Sequence, residues 1–360
     1  MTPTADSLQG FRNRIINGDM RIDQRNAGAA VTVNSVNDTY SVDRFLGAGQ
    51  STDGVFTLQR STTAPTGFTN SLVATVTTAD ASVGAAQYYL VTQKIEGFNV
   101  SDLGFGTANA KTVTLSFWVR SSVTGTFSGA LANGAYNRSY PFTYTISSAN
   151  TFEYKTVTIA GDTTGTWLTD NGIGLRVYWN LGTGVDNTGT AGAWTGAGNV
   201  GADSTVALIS TLNATWYITG VQLEVGSVAT PFERRPYGTE LMLCQRYYEQ
   251  WQGTSTNYSP AGTGLAYANN SVVLPWIYKV TKRIASPSLI VSSAAALAPS
   301  NGVGSVTASN SIGLSGVTQV NDQSMMITVS VATTPFTVGQ ASLVYLTNSS
   351  SAYIAVSAEL

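Results

Sequence analysis

From Tyr40 to Val225 the chain is a series of short apolar segments separated by Gly, Ser, Thr, Asn and Asp, and several of these segments alternate with a period of two. Across residues 112–120, Val113, Leu115, Phe117 and Val119 point one way, and Thr112, Thr114, Ser116, Trp118 and Arg120 point the other. A period of two puts one strand face on a core and the other on solvent. The pattern predicts strands at 42–46, 55–59, 71–77, 87–95, 113–121, 142–146, 153–159, 173–179, 205–209 and 216–225. So many short strands at this spacing read as an antiparallel jelly-roll β-sandwich. No phosphate-cradling glycine motif follows a strand, and no helix of useful length is evident before residue 238.

The period changes after the segment 216–226. Around residues 239–251 Thr239 can cap a short helix, with Leu241, Cys244 and Tyr248 on one face. Beyond it, 271–280, 288–292, 325–331, 342–346 and 352–358 read as strands of a smaller C-terminal β domain. The expected organisation of this all-β chain is an N-terminal arm at 1–30, the sandwich at 31–237, a helical linker at 238–251 and the C-terminal domain at 252–360. Residues 284–322 are poor in aromatic side chains, so this last domain is expected to gain stability by self-association, which would also cover its edge strands.

Charge and residue usage remove whole classes of chemistry. Only 11% of the 360 residues are charged, against roughly a quarter in soluble proteins generally. Hydroxyls and amides therefore solvate this surface. With a net charge of −2 and no long basic run, the chain lacks the convergent cations that neutralise phosphates, so nucleic acid is not an expected partner. Arg12, Arg14, Arg21 and Arg25 form the one concentrated basic region, read as a solvated arm or a docking segment for an acidic partner. The absence of histidine excludes a Ser-His-Asp triad, a Cys-His pair and His-rich zinc sites. The single cysteine excludes an intrachain disulfide and is read as a small buried side chain. No apolar run spans a bilayer and the start lacks a secretion signal, so release by cell lysis is the expected exit if the protein works outside a cell.

The stretches Arg14-Ile15-Ile16-Asn17-Gly18-Asp19-Met20-Arg21-Ile22-Asp23-Gln24-Arg25, Tyr40-Ser41-Val42-Asp43-Arg44-Phe45, and Ile218-Thr219-Gly220-Val221-Gln222-Leu223-Glu224-Val225-Gly226 with Ala229-Thr230-Pro231-Phe232-Glu233 resemble bacteriophage tail fibre or receptor-binding proteins. The likeness covers most of residues 11–251. It implies a homotrimeric virion appendage on tail or head, with a carbohydrate-binding-like jelly roll and a tip that meets the host envelope. The basic N-terminal segment would then attach the chain to other virion proteins, and bacterial surface polysaccharide or lipopolysaccharide would be the partner outside the particle.

Sugar recognition needs flat aromatic faces against C–H surfaces and amides or carboxylates against hydroxyls. Candidates are Tyr136, Arg138 and Tyr140 before one strand, Trp179, Asp186, Asn187 and Trp194 in a glycine-rich region, and Tyr258 in the C-terminal domain. The alternative for Trp179 and Trp194 is that they plug the sandwich edge. Glycoside hydrolysis needs two paired carboxylates, and no short motif pairs any two. Glu224 reads as a structural acceptor. Neither a catalytic residue nor a cofactor is expected, and a structural calcium on Asp162 or Asp186 has no supporting loop motif. Non-catalytic adhesion to a surface glycan is thus the leading reading, beside a structural decoration protein of head or tail and a glycan depolymerase.

Overall fold

The computed structural model describes residues 11–34, 38–301, 306–314 and 320–360. Two compact units divide the chain, Met1–Glu240 with Leu360, and Leu241–Glu359. In the first unit the strands run in chain order as β1 (Val31–Val33), β2 (Thr39–Tyr40), β3 (Leu46–Gly49), β4 (Val55–Ser61), β5 (Ser71–Thr78), β6 (Tyr88–Glu96) and β7 (Val113–Ser121). They continue as β8 (Gly125–Ala132), β9 (Ser139–Ile146), β10 (Glu153–Ile159), β11 (Ile173–Thr183), β12 (Thr188–Gly189), β13 (Gly201–Ala202) and β14 (Thr215–Val225). Two six-stranded sheets result, ordered β1-β4-β5-β14-β7-β10 and β2-β3-β6-β11-β8-β9, and every pairing within them is antiparallel. The chain passes repeatedly from one sheet to the other, as a jelly roll does.

The core follows from the alternation. Leu115, Phe117 and Val119 of β7, Val91 of β6, Val177 and Trp179 of β11 and Trp216 of β14 are all buried in one cluster. Phe117 meets Trp179 edge-on at 6.0 Å between centroids, and the Trp216 indole N–H donates to the Tyr144 hydroxyl at 3.2 Å. Strand β14 carries a bulge, with its register against β7 shifting between Thr219 and Gln222. Gly220 takes a left-handed φ of +61° there, where glycine avoids the Cβ penalty of other residues. The extra residue lets Trp216 and Ile218 before it, and Val221 and Leu223 after it, all reach the core.

Of the segment expected as an arm, residues 11–30 are part of this unit, and residues 1–10 lie outside the described residues. Ile15 and Met20 are fully buried. Asn13 donates its side-chain amide to the Val221 carbonyl at 3.0 Å and accepts from the Leu223 N–H at 3.0 Å. Asn17 donates to the carbonyls of Ile22 and Asp43 at 2.8 and 2.9 Å. Its short polar side chain suits both its own φ of +61° and a tight turn. The dipeptide Asn17-Gly18 is a turn signal in the sequence, but its packing against β14, about two hundred residues away, has no local signature. The arginines are engaged within the unit: Arg14 pairs with Asp102 at 2.7 Å, Arg21 with Asp19, Arg25 lies over the Tyr40 ring, and Arg12 donates to the Pro231 carbonyl at 3.3 Å.

Several strand expectations are corrected. Strand β8, rich in Gly and Ala, was not foreseen; residues 42–45 of the expected strand 42–46 lie in a turn before β3; and the expected strand 205–209 ends in a 3-10 turn at Leu208–Ser210. Helix α1 (Tyr237–Gln245) is shorter than the expected linker, because Tyr248 already belongs to a strand. Cys244 is buried as expected. Glu224 is a structural acceptor, taking the Gln222 amide and the Thr230 N–H on Oε1, both at 2.8 Å, and the Thr230 hydroxyl on Oε2 at 2.6 Å.

The second unit contains β15 (Tyr248–Gln252), β16 (Ser259–Ala268), β17 (Ser271–Ile277), β18 (Ser288–Val291), β19 (Leu297–Pro299), β20 (Ser311–Leu314), β21 (Ser324–Ser330), β22 (Ala341–Leu346) and β23 (Tyr353–Ser357). They form a three-stranded sheet, β15-β23-β18, and a six-stranded one, β19-β22-β16-β17-β21-β20. Trp276 is fully buried and lies 4.6 Å from Trp251 between ring centroids. Lys282 is buried, with Nζ 2.8 Å from the buried Glu249 carboxylate and 2.5 Å from the Gln245 carbonyl.

Candidate functional site

Strands β6 and β11 lie side by side within the second sheet, in register Arg176↔Lys94, Tyr178↔Thr92 and Asn180↔Leu90. Their odd-numbered residues fill the core, so Leu90, Thr92, Lys94, Arg176 and Tyr178 face away from it. Over this outer face lies a groove of about 570 Å³, whose wall adds Asp38, Ala48, Tyr88, Tyr136, Asp186, Asn187 and residues 197–200. A small apolar cluster of Leu46, Ala48, Leu90, Ala130, Ala132, Tyr178 and Val200 underlies it. The site is therefore an apolar floor with aromatic and polar walls, a composition common in ligand grooves.

Two loops supply the walls. Tyr136 sits at the tip of the turn between β8 and β9 with a left-handed φ of +58°, a conformation uncommon for a bulky residue. Asn133 holds that turn by accepting from the N–H groups of Asn137 and Arg138 at 3.1 and 3.2 Å and donating to the Thr166 carbonyl at 3.0 Å. The Tyr136 ring, half exposed, lies 4.1 Å from the Arg176 guanidinium. On the other side, Thr188 and Gly189 pair in parallel with Gly201 and Ala202, closing the glycine-rich loop. Asn187 donates its side-chain amide to the Ala86 carbonyl at 2.9 Å.

Burial sets the electrostatics. The Lys94 ammonium is held below its ordinary value because burial disfavours its charged form and the Arg176 and Arg44 cations add to that, while its ion pair with Asp38 opposes. Burial raises the Tyr88 hydroxyl, helped by Tyr136 and Asp38 and opposed by Arg176. Burial also raises the Tyr178 hydroxyl far above its ordinary range. Both phenols are thus neutral donors at physiological pH. Of the two carboxylates on the wall, Asp38 is ion-paired and Asp186 is exposed.

Three of the sequence candidates, Tyr136, Asp186 and Asn187, meet in this groove. The others do not. Trp179 is fully buried in the core, because alternation along β11 puts it on the face opposite Tyr178. Trp194 is a plug: its ring lies 5.4 Å from Tyr140 and from Trp167 and 5.7 Å from Phe105, and its N–H donates to the Ala160 carbonyl at 2.7 Å. Tyr140 is consumed in the same cluster. Arg138 forks onto Asp162, at 2.7 Å through Nε and 2.8 Å through Nη2. Burial works against the charged Asp162, yet the Arg138 fork and Thr164 outweigh it and hold the carboxyl below its ordinary value. That engagement leaves Asp162 ill suited to calcium, and among the described residues no group of three acidic, Cys or His side chains could hold a metal ion. Tyr258 belongs to the other unit, partly exposed near Tyr345.

Sequence reading missed Asp38, Tyr88, Lys94, Arg176, Tyr178 and Asn199. The available signal was polar and aromatic residues at alternate positions of strands that are otherwise apolar. Only the strand order shows that those positions share one covered face.

No protein-family model and no curated protein sequence matches the chain. Among solved structures, the chain is similar to the family 11 carbohydrate-binding module from Clostridium thermocellum in complex with a β-1,3-1,4-mixed-linked tetrasaccharide, at 11% identity and TM-score 0.28 over 57% of this chain and 99% of that one. It is also similar to the N-terminal cellulose-binding domain of Cellulomonas fimi β-1,4-glucanase C, at 12% identity and TM-score 0.23 over 56% and 90%. A third is TmCBM61 in complex with β-1,4-galactotriose, at 7% identity and TM-score 0.26 over 51% and 88%. The jelly-roll description rests on the strand order given above.

Proposed function

We propose that this protein binds a glycan in the groove over β6 and β11, without catalysing its cleavage. The observation that carries the reading is the wall itself: Tyr136 offers a half-exposed ring, Tyr88 and Tyr178 offer neutral hydroxyls, and Asn187 and Asn199 bring amide side chains to the same wall. Neither wall carboxylate is enclosed in apolar surroundings of the kind that tunes a general acid. Phage-fibre-like stretches in the sequence support the finer reading, a virion adhesin that attaches to a bacterial surface polysaccharide. In the second unit, Leu265, Tyr267, Ile277 and Leu343 are about half to three-quarters exposed on the six-stranded sheet. That apolar face supports self-association, and a trimer would raise apparent affinity through effective concentration. Among the described residues, no helix is long and apolar enough to cross a membrane.

The test is binding of the purified full chain to a panel of bacterial surface polysaccharides, with Tyr136→Ala as the comparison. Saturable binding to at least one polysaccharide, weakened at least about tenfold by the substitution, is the expected result. Binding that Tyr136→Ala leaves unchanged would move the site elsewhere, and no binding to any member would refute the glycan reading.

A further inference from the structure

Arg176 and Lys94 stand directly opposite each other on adjacent strands, and both are more than nine-tenths buried. Like charges in that relation destabilise a sheet. Lys94 has Asp38 as its counter-ion, but among the described residues no carboxylate pairs with Arg176. Its polar partner is the Gly134 carbonyl at 3.5 Å from Nη2, and its Nε–H is shut away from solvent with no acceptor. The Thr92 hydroxyl, a neighbour on the same groove floor, is also buried without a partner. An uncompensated buried guanidinium is costly, and the Tyr136 ring lies over it at 4.1 Å.

From this we infer that the groove takes an acidic sugar, with Arg176 receiving the oxyanion and Thr92 donating beside it. The inference rests on the glycan reading above and narrows its ligand class. A planar guanidinium matches a carboxylate, phosphate or sulfate through two parallel N–H groups, which an ammonium cannot do. Asp38 and Asp186 lie on the same wall, so the preference comes from the local fork and not from a positive field over the whole groove.

The experiment uses an array of polysaccharides bearing uronic acids, phosphates or sulfates beside neutral ones, and each uronic acid hit is measured again after carboxyl reduction. The intact chain is expected to bind acidic members about tenfold to a hundredfold tighter than their neutral counterparts, the range of one charge-assisted contact. Phosphate- or sulfate-bearing hits in place of uronates would identify the source of the oxyanion. Arg176→Gln should erase the preference and Arg176→Lys should restore only part of it. Should Arg176→Gln fail to fold, the carboxyl-reduction comparison on the unaltered chain decides alone. Equal binding of acidic and neutral forms overturns the acidic-sugar inference while leaving the glycan reading intact, and silence across the whole array overturns both.

Discussion

Replacing Asp162 by Asn separates a structural role for Arg138 from the sugar-binding one its sequence position suggests. Asp162 is 2% exposed and accepts four hydrogen bonds, from Arg138 Nε and Nη2 at 2.7 and 2.8 Å and from the Thr164 N–H and hydroxyl at 3.1 and 3.0 Å. Breaking a fully buried pair costs about 3–5 kcal/mol. The Arg138 side chain retains 19% exposure and Asn keeps some acceptor capacity, so the expected loss is about 2–3 kcal/mol, toward the scale of a charge-assisted bond. For a unit of this size that lowers the melting temperature by roughly 5–10 °C.

The pH dependence provides an internal check. Asp162 has a folded-state pKa below its ordinary value near 3.8. Its stabilisation is therefore complete above that ordinary value and is lost as pH falls through the folded-state value. Thermal melts of wild type and variant should stay apart from neutral pH down to the ordinary value near 3.8 and converge only as pH falls below it. Glu153, also held below its ordinary value where burial is outweighed by Lys155 and the Ser147 and Ser148 N–H groups, leaves a residual acid slope in both. Glycan affinity should stay within about threefold, because Asn133 holds the Tyr136 turn independently. Melts that remain parallel below the ordinary Asp162 value, or an unchanged midpoint at neutral pH, would rule out a stabilising Arg138–Asp162 pair.

A Cβ on Gly18 would lie 2.2 Å from the Val221 carbonyl oxygen, so Gly18→Ala should cost about 1–3 kcal/mol and speed hydrogen exchange at Leu223, whose N–H is held by Asn13. Trp179→Ala should destabilise by about 3–5 kcal/mol, whereas half-exposed Tyr136→Ala should change stability little and binding much; calorimetry beside affinity measurements checks the contrast. In the second unit, Glu249→Ala strands the Lys282 ammonium and should cost about 3–5 kcal/mol in denaturant unfolding, while the double replacement Glu249→Leu with Lys282→Met should cost less. Tyr267→Asp with Ile277→Asp should dissociate an oligomer in sedimentation equilibrium, if their exposed sheet face is where copies meet.

The strand alternation made the sandwich legible, since a period of two in residues such as 113–119 needs no tertiary information. The docking of residues 11–25 was not, because Ile15-Ile16-Asn17-Gly18 is too short for periodicity and its partners on β14 are remote in sequence. The groove was half legible. Tyr136, Asp186 and Asn187 stood out as loop residues, but nothing in the strands expected at 87–95 and 173–179 singled out Lys94 and Arg176, which only the pairing places opposite each other. For Trp179 the sequence leaves both a presented ring and a buried plug open, and its parity along β11 sends it inward.

Amide hydrogen exchange with the tightest-binding array polysaccharide locates the groove in solution. Adding the polysaccharide should increase protection at residues 88–94, 134–137, 176–178 and 185–200 and leave the opposite sheet unaffected. Protection confined to the second unit, or to the outer face of β7 and β10, would rule out glycan binding over β6 and β11.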